Sequence, residues 1–151
     1  MGEKLISQMA KGRPVVLEEV TVKLTPAQVL TLNATPIRLV KAAAADIIIP
    51  VAVTILKPAG TAYGGIAAGE DISIEDSGGG NLLTVETTGF LDQTTEQYRI
   101  TSAFALTNKA TGKGLHLNVK MLVGEITTGD SPLTITVAFY RIELGRIPTI
   151  G

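Results

Sequence analysis

Few side chains in this sequence are equipped for chemistry, and they fall in three places. The first is a run of carboxylates in "GEDISIEDSGGG": Glu70, Asp71, Glu75 and Asp76. Hard oxygen ligands this close together could hold calcium, but their spacing does not fit the helix–loop–helix calcium pattern. Asp71 and Glu75 bracket a short β pattern, which makes the group a solvated strand end. The same acids could be imagined as a glycosidase pair. Such a site calls for aromatic platforms, and the chain has no Trp, three Tyr and three Phe. The second place is His116, the one histidine. It sits between Leu115 and Leu117 on the polar side of an alternating segment, the place of a solvated or locally hydrogen-bonded histidine. With no second histidine and no cysteine it makes a poor zinc or iron ligand. A Ser-His-Asp triad would have to use it, and no serine stands on a nucleophile elbow. The third place is a pair of glycine-rich stretches, "DSGGGN" and "ATGKG". A phosphate-binding loop needs a strand before it, a helix after it and a Lys-Ser/Thr pair. Asp76 would repel phosphate, and Lys113 runs into Gly114 and a strand. Both stretches read as turns. The chain is therefore expected to be non-enzymatic, with no catalytic residue, metal or cofactor and no small-molecule substrate.

The elements that would carry these residues are strands. Thr, Ile and Val number 19, 15 and 12, and branched side chains of this kind favour pleated sheet. Residues 14–24 end in the alternation Val20, Val22, Leu24 against Thr21 and Lys23, a half-buried strand. At "LTPAQVLTLNATPIRLV" the chain starts a helix and abandons it. Thr25 suits the N-cap, Pro26 the first turn, and Gln28 can return the bond as a capping box. The strand-like Leu30-Thr31-Leu32 follows at once, and Pro36 holds Thr35 extended. This predicts a one-turn corner before a strand at 37–40. Residues 46–57, "DIIIPVAVTILK", read as a strand buried on both faces, with a bulge or edge at Pro50. Short strands are expected near 72–75, 82–87 and 98–104, with a turn at 76–81. Finally "GLHLNVKM", 114–121, and Leu133 to Phe139 both alternate strictly. They are expected to pair as an antiparallel hairpin with one buried face.

The expected fold is all-β: one antiparallel β-sandwich or barrel of about eight short strands, with at most one-turn helices. Residues 1–13 lack a period and are expected to form an extended N-terminal arm. Residues 14–151 form the β domain. A chain of 151 residues is one domain by size and needs no disulfide to fold. The formal net charge of −1 and the shortage of aromatics argue against nucleic acid. The longest apolar run, Ile47 to Leu56, covers about half of a bilayer, so no membrane partner is expected. The N-terminus has no secretory core and no Ser or Thr for myristoylation, since Ile6 occupies that place. Four Asn and four Gln suggest a heat-adapted, thermostable protein. What remains for function is surface. Ile47 to Ile55 and the tail "RIPTIG" are candidates for subunit contact. Leu5, Ile6, Met9, Lys11 and Arg13 of the arm are candidates for binding a partner.

Three stretches carry a resemblance. "LTPAQVLTLNATPIRLVKA", "IIIPVAVTILKPAGTAY" and "ITTGDSPLTITVAFYRI" resemble segments of small virion proteins of tailed bacteriophages, and within that group of capsid decoration, or cement, proteins. The resemblance implies a homotrimer on the outside of the phage head, binding the major capsid protein and clamping it against internal pressure. It implies a virion location after synthesis in the host cytoplasm. No residue-level binding motif transfers with it. A tail or baseplate component, a carbohydrate-binding β-module and an ordinary cellular β-sandwich are the alternatives.

Overall fold

The computed structural model describes residues 15–102 and 110–144. These form two four-stranded antiparallel sheets packed as a β-sandwich. In chain order the elements are β1 (Leu17–Leu24), α1 (Pro26–Leu30), β2 (Ile37–Val40), β3 (Asp46–Lys57), β4 (Ile72–Asp76), β5 (Asn81–Val85), β6 (Gln97–Ser102), β7 (Leu117–Met121) and β8 (Leu133–Glu143). Sheet A has the order β1-β8-β3-β6, and sheet B the order β2-β7-β4-β5. The expected arm, residues 1–13, lies outside the described residues.

The one-turn corner is as its residues predict. The Thr25 hydroxyl accepts from the Gln28 backbone N–H at 3.3 Å, and the Gln28 side-chain Oε1 accepts from the Thr25 N–H at 2.9 Å. This capping box satisfies two N–H groups that the start of the helix would leave without partners. Val29 drops into the core and the chain crosses from sheet A to sheet B. Pro50 marks a shift of register in the β3–β8 ladder, where a residue without an N–H does least harm.

Period-2 alternation fills the space between the sheets. Leu133, Ile135, Val137 and Phe139 of β8 meet Val53 and Ile55 of β3 on one side. Leu117, Val119, Met121, Ile72 and Ile74 supply the other. Phe90 and Leu91, in a turn between β5 and β6, are fully buried and close that side of the core.

Two expectations are corrected. β7 and β8 do not form a hairpin: β7 pairs with β2 and β4, and β8 with β1 and β3, in opposite sheets. Strict alternation states which side of a strand is buried, not which strand lies beside it, and in a sandwich two such strands can face each other across the core. The only sequential hairpin among the described strands is β4–β5. β3 is not buried on both faces either. Its inward residues are buried and its outward ones half-exposed, because sheet A is one of two layers and its outer side meets no described strand.

Candidate interaction surface

The carboxylates of "GEDISIEDSGGG" are held by their own backbone. Asp76 Oδ1 accepts from the Gly78 and Gly80 N–H groups, both at 3.0 Å, and its Oδ2 from the Gly112 N–H at 3.1 Å. The two glycine-rich stretches thus converge on one carboxylate. Gly112 sits close to Leu115, and a Cβ there would lie 2.7 Å from Leu115 Cδ1, so a side chain would have to push that methyl aside. Asp71 Oδ1 accepts from the Thr87 N–H at 3.2 Å, and Glu70 Oε2 from the Ala67 N–H at 2.6 Å. Glu75 stands on the outer side of sheet B, opposite Asn118. His116 Nδ1 accepts from the Ala42 N–H at 3.0 Å, which pins the ring to the loop before β3. Among the described residues no three of His, Asp or Glu come together as metal ligands.

Buried polar groups elsewhere tie strands together. Lys57 is fully buried at the inner end of β3, and its ammonium donates to the Gln93 carbonyl at 2.7 Å and the Pro58 carbonyl at 3.3 Å. Burial lowers its pKa, with a smaller opposing pull from Asp130. The Tyr63 hydroxyl donates to the Ser131 carbonyl, and burial pushes its pKa up to about 12. At the other end of the sandwich, Arg141 donates to Glu18 at 3.1 Å and to Asp46 at 2.7 Å, joining β1, β8 and β3. Burial alone would raise the Asp46 carboxyl. The Ala43 N–H and the Arg141 guanidinium outweigh it and hold the group below its ordinary range.

The outer faces of the two sheets differ in kind. Across sheet B, Arg38 pairs with Asn118 and Asn118 with Glu75. In the next outward row Lys120 pairs with Ser73, and Ser73 with Thr84. These rows are polar, with Ser73 buried among them, while Leu122 and Val123, just beyond the end of β7, are 39% and 58% exposed. Across sheet A, Leu17 pairs with Tyr140, Tyr140 with Ile49, and Ile142 with Ile47. Ala138 and Ala52 follow, then a row of threonines. Thr21 Oγ1 and Thr136 Oγ1 there lie 2.9 Å apart. At the far corner Leu56 pairs with Tyr98, and Thr54 with Ile100. Leu17 is 52% exposed, Tyr98 64% and Ile100 68%.

β6 explains the second corner. Its alternation, Gln97, Tyr98, Arg99, Ile100, Thr101, would ordinarily turn Tyr98 and Ile100 inward. Pairing with β3 places Gln97, Arg99 and Thr101 on the core side instead. The space beneath them is already filled by Phe90 and Leu91. Arg99 lies over the Phe90 ring, 5.1 Å from its centre, and donates to the Gly89 carbonyl at 2.7 Å. The exposed apolar residues of sheet A thus stand at two corners of its outer face, with alanine and threonine rows and the charges of Glu19 and Lys23 on the same face.

Of the residues singled out from sequence, Ile47 and Ile49 lie on this face. Leu5, Ile6, Met9, Lys11 and Arg13 lie outside the described residues, as does the tail at 146–151. Sequence reasoning missed Leu17, Tyr98, Ile100 and Tyr140. No local signal marked Tyr98 and Ile100: the alternation of β6 reads as an ordinary half-buried strand with its apolar side inward, and only its pairing with β3 turns that side out.

No family model matches the chain, and no curated protein does. Among solved structures the chain is similar to one chain of the cyanophage Pam1 capsid asymmetric unit. The two are 13% identical with a TM-score of 0.47, and the match covers 83% of this chain and 84% of that one.

Proposed function

We propose that this chain is a non-enzymatic structural protein of a tailed-phage virion, a decoration protein that binds the outside of the head as a homotrimer and stabilises it. The observation that carries an assembly role is the contrast between the outer faces: sheet B turns Arg38, Asn118, Glu75 and Lys120 to water, while sheet A turns out Leu17, Tyr140, Ile49, Tyr98 and Ile100. The head location is supported by the three stretches that resemble virion proteins. In this reading the apolar corners of sheet A's outer face meet neighbouring copies or the capsid. Leu5, Ile6, Met9, Lys11 and Arg13 of the arm add contacts whose ordering cost is met on assembly. Each contact can be modest, because repetition over a lattice multiplies it.

The test is co-sedimentation with empty phage shells assembled from a major capsid protein, followed by electron microscopy of the tagged chain. The reading predicts saturable binding and label on the head exterior. Label on the tail would move the protein to the tail or baseplate, and the absence of binding would overturn the reading.

A further inference from the structure

We infer that β1 is a self-complementary edge, through which two copies of this chain join sheet A to sheet A across a two-fold axis. β1 is an edge strand of eight residues, paired on one side with β8 and with no described strand on the other. Such an edge presents a row of free backbone donors and acceptors and is a template for another strand. Its outward residues are Leu17, Glu19, Thr21 and Lys23, all exposed. Within the copy, Glu19 stands opposite Ala138 and Lys23 opposite Thr134, so neither charge is matched across the ladder. Neither makes an ion pair among the described residues.

An antiparallel pair of β1 strands with its axis at Thr21 changes that. Glu19 then faces the second copy's Lys23, and Lys23 faces its Glu19. Thr21 meets its own copy, and on the inner side Val20 meets Val22. Opposite charges directly across a ladder stabilise it, and like charges oppose it. A two-fold contact requires this self-matching sequence, since one patch must fit itself. A two-fold contact cannot by itself build a trimer, so the inference goes beyond the proposed function. On a lattice it would link one trimer to the next.

The experiment is sedimentation of the full chain over a wide concentration range, for the wild type, Glu19→Lys, Lys23→Glu, and an equimolar mixture of the two variants. In each single variant the charges facing each other across the axis are alike, and self-association weakens about ten-fold. In the mixture, two lysines face two glutamates, and association returns to wild-type strength or above. A strengthening on lowering salt accompanies it. Any trimer made through another surface persists in the single variants. The inference is overturned if the wild type shows no association that these variants weaken, or if the mixture fails to restore it. Binding to capsid shells is a separate measurement, so either idea can fail without the other.

Discussion

Asp76 accepts three backbone N–H groups from two loops that are far apart in sequence, and glycine allows two of those loop positions to come close to the carboxylate. Losing a buried charged acceptor leaves its donors unpaired. Asp76→Ala should therefore lower stability by about 2–3 kcal/mol in urea denaturation. Asp76→Asn keeps one acceptor oxygen for Gly78 and Gly80 but turns an NH₂ group toward the Gly112 N–H, and about half that loss is expected. Asp46 carries a pH signature. Its folded carboxyl titrates below the unfolded value of about 3.9. Its stabilising effect is thus present above that pH and is lost as pH falls through the lower folded value. Wild-type urea midpoints should drop on acidification below about pH 4, and Asp46→Asn should flatten that drop at the cost of lower stability near neutrality. At this scale the sequence was readable in part. The turns at "DSGGGN" and "ATGKG" follow from glycine and Asp, but their meeting at one carboxylate depends on tertiary structure that no local pattern encodes. His116 as a local hydrogen-bond acceptor is what a lone histidine beside a loop suggests.

The elements were legible where the signal is local and illegible where it is relational. The corner at Thr25 follows from Thr, Pro and Gln at fixed offsets, and Thr25→Ala should cost about 1 kcal/mol in thermal or urea unfolding. The Pro50 irregularity follows from a missing N–H. The partner of β7 does not follow from anything in β7: Leu117, Val119 and Met121 specify a buried side, and either sheet could supply it. Nor does the orientation of β6. Tyr98 and Ile100 face outward because the β3 pairing and the packing of Phe90 and Leu91 beneath Arg99 decide it. That orientation has a testable consequence. If Tyr98 and Ile100 serve an interface, then Tyr98→Ser combined with Ile100→Thr should leave the isolated fold within about 0.5 kcal/mol of wild type, as exposed positions do. A comparable apolar-to-polar pair at Ile55 and Val137, in the core, should unfold the domain.

For the whole molecule, a large sheet A, with strands of up to 12 residues, and a smaller sheet B, with strands of four or five, bury one common core and differ in what they show to water. The outward rows of sheet B are polar. Sheet A carries apolar residues at two diagonal corners, Leu17 with Tyr140 and Ile49 at one and Tyr98 with Ile100 and Leu56 at the other, with threonines between. The fold class was plain in the alternation and turn spacing, but which face stays apolar was not, because that is settled by the pairing of whole strands. The claim that most depends on this contrast is that sheet A's outer face is an assembly surface. Light scattering on the purified chain, wild type beside Ile100→Lys, tests it most directly. The expected result is a wild-type mass of several chains and a mass for Ile100→Lys shifted toward one, with the two chains giving the same β-sheet circular dichroism spectrum. A wild type that stays a single chain at the highest attainable concentration, or an Ile100→Lys chain that assembles as the wild type does, would contradict it.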